Sequence, residues 1–111
     1  ARLDCAQALA EELGCLVVLK GSGTVVAAPG RVPVLNPSGN ARLGTAGTGD
    51  VLAGMLGAAW APLAINSGPD DVGFEAVCAA VFQHGWLADR WDEMQDGTLT
   101  AGRLAARVTA F

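Results

Sequence analysis

Three observations predict an α/β fold for this 111-residue chain. A short, β-branched apolar run, Cys15-Leu-Val-Val-Leu19, stands between a helical stripe and a glycine-rich loop. Two further strand-like runs follow, with Pro29-Gly30 as the turn between them. Beyond residue 50 the apolar spacing is helical.

The elements follow in order. Residues 3–13 place Leu3, Ala6, Leu9, Ala10 and Leu13 at helical spacing, and Gly14 follows as a C-terminal cap. The continuous apolar character of residues 15–19 predicts a central strand covered on both faces. Residues 20–24 form the loop at its carboxyl end, and residues 24–28 and 32–35 supply two more strands. After a long loop over residues 36–49, a buried helix is expected from about Val51 to about Trp60, with Pro62 ending it. Residues 66–71 read as a turn cluster that caps the next helix. That helix, over residues 72–91, carries Phe74, Val77, Cys78, Val81 and Phe82 as its apolar stripe. Thr100 is the expected N-cap of a last helix ending near Val108. Three strands fall below the ~4–6 of a usual sheet. The chain also opens at Ala1, inside a helical pattern, with no initiator Met. Both features predict the C-terminal part of a larger layered α/β domain.

Composition narrows the function. Apolar residues make up 51% and charged residues 16%, as in a globular chain, and the formal net charge is −4. Nucleic acid and anionic membrane surfaces select basic patches, so neither is an expected partner. Any phosphate must be held locally, by backbone amides and one or two cations, of which Lys20 and Arg42 lie near glycine-rich loops. Cys5, Cys15 and Cys78 are too few and too scattered for a disulfide framework or a zinc knuckle. Cys15 and Cys78, in apolar runs, are expected as buried reduced thiols, which suits a cytoplasmic protein. No signal peptide opens the chain, and the apolar stretch over residues 51–65 is shorter than the ~20 residues a membrane helix needs.

Two loops carry the candidate chemistry. Lys20-Gly-Ser-Gly-Thr24 follows a strand directly, where open α/β sheets bind ligands. Gly21 and Gly23 would let the backbone approach a phosphate, while Lys20, Ser22 and Thr24 add a cation and hydroxyls. A polar hairpin whose glycines serve only the turn explains the same residues. The P-loop spacing is absent. Thr45-Ala-Gly-Thr-Gly-Asp50 is the stronger signal, because it feeds an apolar helix. There the amides of Ala46, Gly47, Thr48 and Gly49 would bind a developing negative charge, and Asp50 would act as general base on a substrate hydroxyl. The rival explanation makes Asp50 an ordinary helix N-cap. Asn36-Pro-Ser-Gly-Asn40 reads by itself as a turn, and His84 as a structural hydrogen-bonding residue. Trp60, Trp86 and Trp91 are expected to pack or partly cover the surface. Asp89, Asp92, Glu93 and Asp96 should form a solvated face without calcium-loop spacing.

Taken together, Val18-Leu-Lys-Gly-Ser-Gly-Thr24, Asn36-Pro-Ser-Gly-Asn40 and Ala46-Gly-Thr-Gly-Asp-Val-Leu-Ala-Gly54 resemble the ADP-dependent NAD(P)H-hydrate dehydratases of the ribokinase-like superfamily. Ala80-Val-Phe-Gln-His-Gly85 and Leu99-Thr-Ala101 strengthen the likeness, which covers nearly all of the chain. The resemblance implies a ribokinase-like layered sandwich, represented by the C-terminal portion with about three strands and four helices. Residues 1–111 would then lack the N-terminal half of the domain and its His-Pro-Gly substrate loop. The implied reaction is repair of hydrated NADH or NADPH, with ADP as phosphoryl donor and Mg2+ as the family's metal. Lys20, Gly21, Ser22, Gly23 and Thr24 would hold ADP together with Asn40, Thr45, Ala46, Gly47, Thr48 and Gly49. Asp50 would contact the hydrated nicotinamide and deprotonate its hydroxyl. A homo-oligomer and a fused epimerase domain are further implications. The chain has Ala46 and Thr48 where the family usually shows Gly and Ser, and Ser38 where it shows Thr; these swaps keep size and hydroxyl character. An ATP-dependent small-molecule kinase of the same superfamily, or a non-catalytic nucleotide-binding subunit, would use the same loop.

Overall fold

A computed structural model describes residues 2–65 and 70–109. They divide into two compact units, Ala1–Pro37 and Ser38–Phe111.

The first unit lays one helix, α1 (Arg2–Leu13), on a three-stranded antiparallel sheet of β1 (Val17–Leu19), β2 (Val25–Ala27) and β3 (Val34–Leu35). The buried face of α1 is Ala6 and Ala10, packed with Val25 and Ala27. Two alanines one turn apart let the helix sit close on the sheet. Leu3, Leu9 and Leu13 of the expected stripe are exposed instead. Gly14 caps α1 in the left-handed region at φ +64, donating its amide to the Ala10 carbonyl at 2.9 Å. The strand order β1-β2-β3 corrects the expected centre of the sheet. Each strand follows its neighbour through a hairpin, so the middle strand in sequence is the middle one in space. Leu19 pairs with Val25 across the loop of residues 20–24, and Val26 pairs with Val34. β2 is therefore fully buried, while β1 is a half-buried edge strand.

The second unit is helical. A 3-10 turn (Ala41–Gly44) leads into α2 (Thr48–Ile65), followed by α3 (Asp70–Asp89), the short α4 (Trp91–Met94) and α5 (Ala101–Arg107). α2 starts three residues earlier than the apolar run suggests and continues through Pro62, with that proline in its last turn. A proline there removes one backbone donor without removing the packing of the preceding turns. Of the turn cluster expected before α3, residues 66–69 lie outside the described residues. α3 ends at Asp89, where Arg90 breaks the helix before Trp91.

Packing of α2 against α3 depends on a glycine: a Cβ on Gly73 would lie 3.0 Å from Cη2 of Trp60. The inward residues of α3 are Phe74, Val77, Ala80, Val81, His84, Leu87 and Ala88. Phe82 of the expected stripe is 47% exposed, because at about 100° per residue it lies nearly opposite the centre of that face. A second cluster joins Leu87, Ala88, Trp91, Leu99 and Leu104. Trp91 Nε1 donates to the Gly97 carbonyl at 2.8 Å, and Thr100 caps α5 by accepting from the Arg103 amide. Trp60 and Trp86 are partly exposed and Trp91 is buried, as expected. Cys15 is exposed and Cys78 half-buried, which corrects the expectation of two buried thiols. Cys15 lies in the segment between the helix cap and the short β1, outside the sheet interior. No helix among the described residues is long and apolar enough to cross a membrane.

Candidate phosphate-facing loops and their supports

The first unit contributes the loop of residues 20–24. Its outer carbonyls converge on one side chain. Arg2 Nη1 donates to the Ser22 carbonyl at 2.6 Å, and Nη2 donates to those of Leu19 and Lys20 at 3.1 and 3.3 Å. Thr24 is buried, and its hydroxyl donates to the Gly21 carbonyl at 3.2 Å, bracing the loop from inside. Gly21 and Gly23 take φ of +148 and +73, values that L side chains rarely adopt. Lys20 is exposed and makes no ion pair among the described residues.

The second unit contributes residues 38–50, and α3 holds this segment at several points. Ser38 Oγ donates to the Phe82 carbonyl at 3.0 Å, and the Gly39 amide to Asp89 Oδ2 at 2.9 Å. Asn40 Nδ2 donates to the Ala88 carbonyl at 2.9 Å, while Asn40 Oδ1 accepts the Arg42 amide and caps the 3-10 turn. The Asn40 side chain thus anchors the loop. Arg42, a candidate phosphate cation, pairs with Asp92 at 2.9 Å. The backbone passes so close to α3 that a Cβ on Gly85 would lie 2.6 Å from the Ser38 carbonyl carbon and 2.8 Å from the Gly39 nitrogen.

The turn then enters α2. Thr48 Oγ1 lies 2.5 Å from the Leu43 carbonyl oxygen and 3.0 Å from that of Thr45. The Thr48 amide donates to the Thr45 carbonyl, so the polar groups of Thr48 close the turn on itself. Thr45 Oγ1 donates to the Arg42 carbonyl at 2.9 Å. Gly47 sits where a Cβ would come within 2.9 Å of Ala101 Cβ. His84 Nε2 lies 2.9 Å from the Thr48 carbonyl oxygen. With Thr48 as the first helical residue, Gly49 and Asp50 belong to the first turn. Asp50 is therefore an exposed first-turn acid and not the N-cap, because the helix starts two residues before it. First-turn amides have no intrahelical acceptor, and the helix dipole adds positive potential there.

Lys20, Gly21, Ser22, Gly23 and Thr24 lie in the first unit, and Asn40, Thr45, Ala46, Gly47, Thr48, Gly49 and Asp50 in the second. Each group is built within its own unit. Arg2 carries no motif signal in the sequence, whereas Gly85 closes the Ala80–Gly85 stretch that strengthens the family likeness. Asp89, Asp92, Glu93 and Asp96, expected as a solvated face, are all engaged: Glu93 pairs with Arg90 at 2.7 Å and Asp96 with Arg107. That pairing holds the Asp96 carboxyl below its ordinary value, chiefly through the hydrogen bond from Arg107. No group of three or more His, Cys, Asp or Glu side chains that could hold a metal occurs among the described residues.

The family model described as NAD(P)H-hydrate dehydratase matches residues 1–109. The chain is 43% identical over 95 residues to the ADP-dependent (S)-NAD(P)H-hydrate dehydratase of Neisseria meningitidis serogroup B, covering 86% of this chain and 29% of that protein. It is 42% identical over 89 residues to the bifunctional NAD(P)H-hydrate repair enzyme of Escherichia coli, covering 79% of this chain and 16% of the relative. Among solved structures, the ADP/ATP-dependent NAD(P)H-hydrate dehydratase of Bacillus subtilis, co-crystallised with ATP and Mg2+, matches with TM-score 0.73 and 37% identity. That match covers 95% of this chain and 36% of the other. The chain thus spans well under half the length of each of these relatives.

Proposed function

The chain belongs to the NAD(P)H-hydrate dehydratase family, and from that premise we propose that it forms the C-terminal, nucleotide-facing part of a ribokinase-like domain that repairs hydrated NADH or NADPH. The observation that carries this reading is the turn at residues 45–50, closed by Thr48, pinned by His84 and ending in the exposed Asp50 within the first turn of α2.

Bound ADP would supply the phosphoryl group: the ring hydroxyl oxygen bonds to the terminal phosphorus, the bond to AMP breaks, and phosphate later leaves with that oxygen as a neighbouring C–H proton is lost. The residues of this chain do the positioning and the proton chemistry. Asp50 accepts the hydroxyl proton as the oxygen attacks, as a general base must at the point where charge develops. The amides of Gly49 and Asp50, at a helix start, face the transferring group and stabilise its added charge. Ala46 and Gly47 let the backbone approach, and Thr45 and Thr48 keep the turn closed. Within the first unit, Lys20 and the glycine loop at residues 20–24 offer a cation and backbone amides to a nucleotide phosphate. Asn40 serves by anchoring the loop to α3. With no three-ligand side-chain cluster among the described residues, Mg2+ fits as an ion held mainly by phosphate oxygens and water, the usual mode for this cation. The test uses the longest natural product that contains this sequence, mixed with hydrated NADH, Mg2+ and ADP. ADP-dependent recovery of the dihydronicotinamide absorbance is the expected result. Tight nucleotide binding without recovery would favour the small-molecule kinases and a screen of hydroxylated substrates with ATP.

A further inference from the structure

We infer that Arg2 is a positioning residue for phosphate binding: its guanidinium gathers the Leu19, Lys20 and Ser22 carbonyls on one side of the glycine loop and so turns the Gly21 and Gly23 amides to the other. The inference rests on the nucleotide-binding part of the function proposed above.

The geometry follows from peptide planarity. In a trans peptide, the C=O of one residue and the N–H of the next point in opposite directions. No cis bond occurs in the described backbone. The Lys20 carbonyl shares its plane with the Gly21 amide, and the Ser22 carbonyl shares its plane with the Gly23 amide. Both carbonyls accept from Arg2, at 3.3 and 2.6 Å. The two amides therefore face away from the guanidinium, on one side of the loop. Two N–H groups turned to the same side of one glycine-rich turn can donate together to an anion placed there.

The side-chain chemistry is specific to arginine. Its planar fork carries five donors and reaches three carbonyls at once, whereas a lysine offers one rotating point charge. Gly21 fits closely against it: a Cβ there would lie 3.1 Å from Arg2 Nη2, so the fork would have to give by a few tenths of an ångström. Arg2 also places a second positive charge behind the loop that carries Lys20, in a chain of net charge −4. That charge raises the potential at the amide face without touching the ligand. Arg2 is exposed, so little packing depends on it.

The test compares Arg2→Ala, Arg2→Gln and Arg2→Lys in the longest natural product that contains this sequence. It reads ADP affinity by calorimetry, kcat and the separate KM values for ADP and hydrated NADH, and the melting temperature. Arg2→Ala and Arg2→Gln are expected to weaken ADP binding and raise its KM about tenfold, with kcat and the hydrate KM within about twofold. Arg2→Lys recovers only part of the affinity, and millimolar guanidinium restores ADP binding to Arg2→Ala. Unchanged ADP affinity overturns the inference. So does a loss in which ADP affinity and melting temperature fall while the hydrate KM rises. Wild-type protein that binds ADP but repairs no hydrate refutes the substrate assignment, while the ADP titration still decides on Arg2. Wild-type protein that binds no ADP overturns both.

Discussion

His84 Nε2, on a buried side chain of α3, lies 2.9 Å from the carbonyl oxygen of Thr48, the first residue of α2. A carbonyl only accepts, so Nε2 carries the proton and donates. The bond ties the start of the helix that bears Asp50 to the C-terminal half of its packing partner. His84→Ala removes the donor and empties a buried site, which should cost about 1–3 kcal/mol in urea denaturation. His84→Gln, which keeps an amide donor near the Nε2 position, should recover part of that loss. A silent His84→Ala would mean that the bond holds nothing in place.

Gly85, the next residue, gives a sharper prediction. A Cβ there meets the Ser38 hydroxyl and backbone and the Gly39 nitrogen. Backbone cannot swing aside as a side chain can. Gly85→Ala should therefore lower stability by about 1–3 kcal/mol through overpacking. Adding Ser38→Gly removes the hydroxyl contact but leaves the contacts at 2.6 Å with the residue 38 carbonyl carbon and 2.8 Å with the Gly39 nitrogen. The double variant should stay destabilised, and full recovery in the same denaturation series would refute the backbone account.

Much of this was legible in the residues. Gly14 and Thr100 announce their caps, the three strands stand where their apolar runs lie, and His84 holds the structural hydrogen-bonding role expected of a lone helical histidine. Apolar continuity at residues 15–19 points to the wrong central strand, because it carries no information on chain order. In a run of hairpins, order decides which strand is central. The start of α2 lies earlier than the apolar run predicts because Thr48 and Gly49 are weak helix formers whose inclusion depends on tertiary bonds. Arg2 was invisible for a different reason. Three carbonyl contacts about twenty residues away leave no local pattern.

Glu11 predicts an acid-sensitive step in the first unit. Its carboxylate accepts the Gly30 amide at 2.8 Å and Gln7 Nε2 at 2.9 Å. The Gly30 bond first, and then Gln7, hold the carboxyl below its ordinary value of 4.5. A depressed carboxyl stabilises the fold above that value, and the contribution is lost as pH falls through the lower folded-state value. The melting temperature of wild type should therefore fall more than that of Glu11→Gln when pH is taken from about 6 to about 3. Parallel pH curves for the two proteins would remove Glu11 from the acid response.

Asp50 separates chemistry from architecture. It is exposed in the first turn of α2, where a carboxylate is favoured by the helix dipole but closes none of the turn's hydrogen bonds described above. Asp50→Asn keeps the shape and removes the proton acceptor. Turnover should drop by about 100- to 10,000-fold, the range for losing a general base. ADP affinity should hold or rise slightly, because a negative charge beside the phosphates is gone. Calorimetric ADP titration and the absorbance assay, run on one preparation, read both quantities. If affinity, melting temperature and turnover fell together, Asp50 would be a helix-start residue and the base would lie elsewhere.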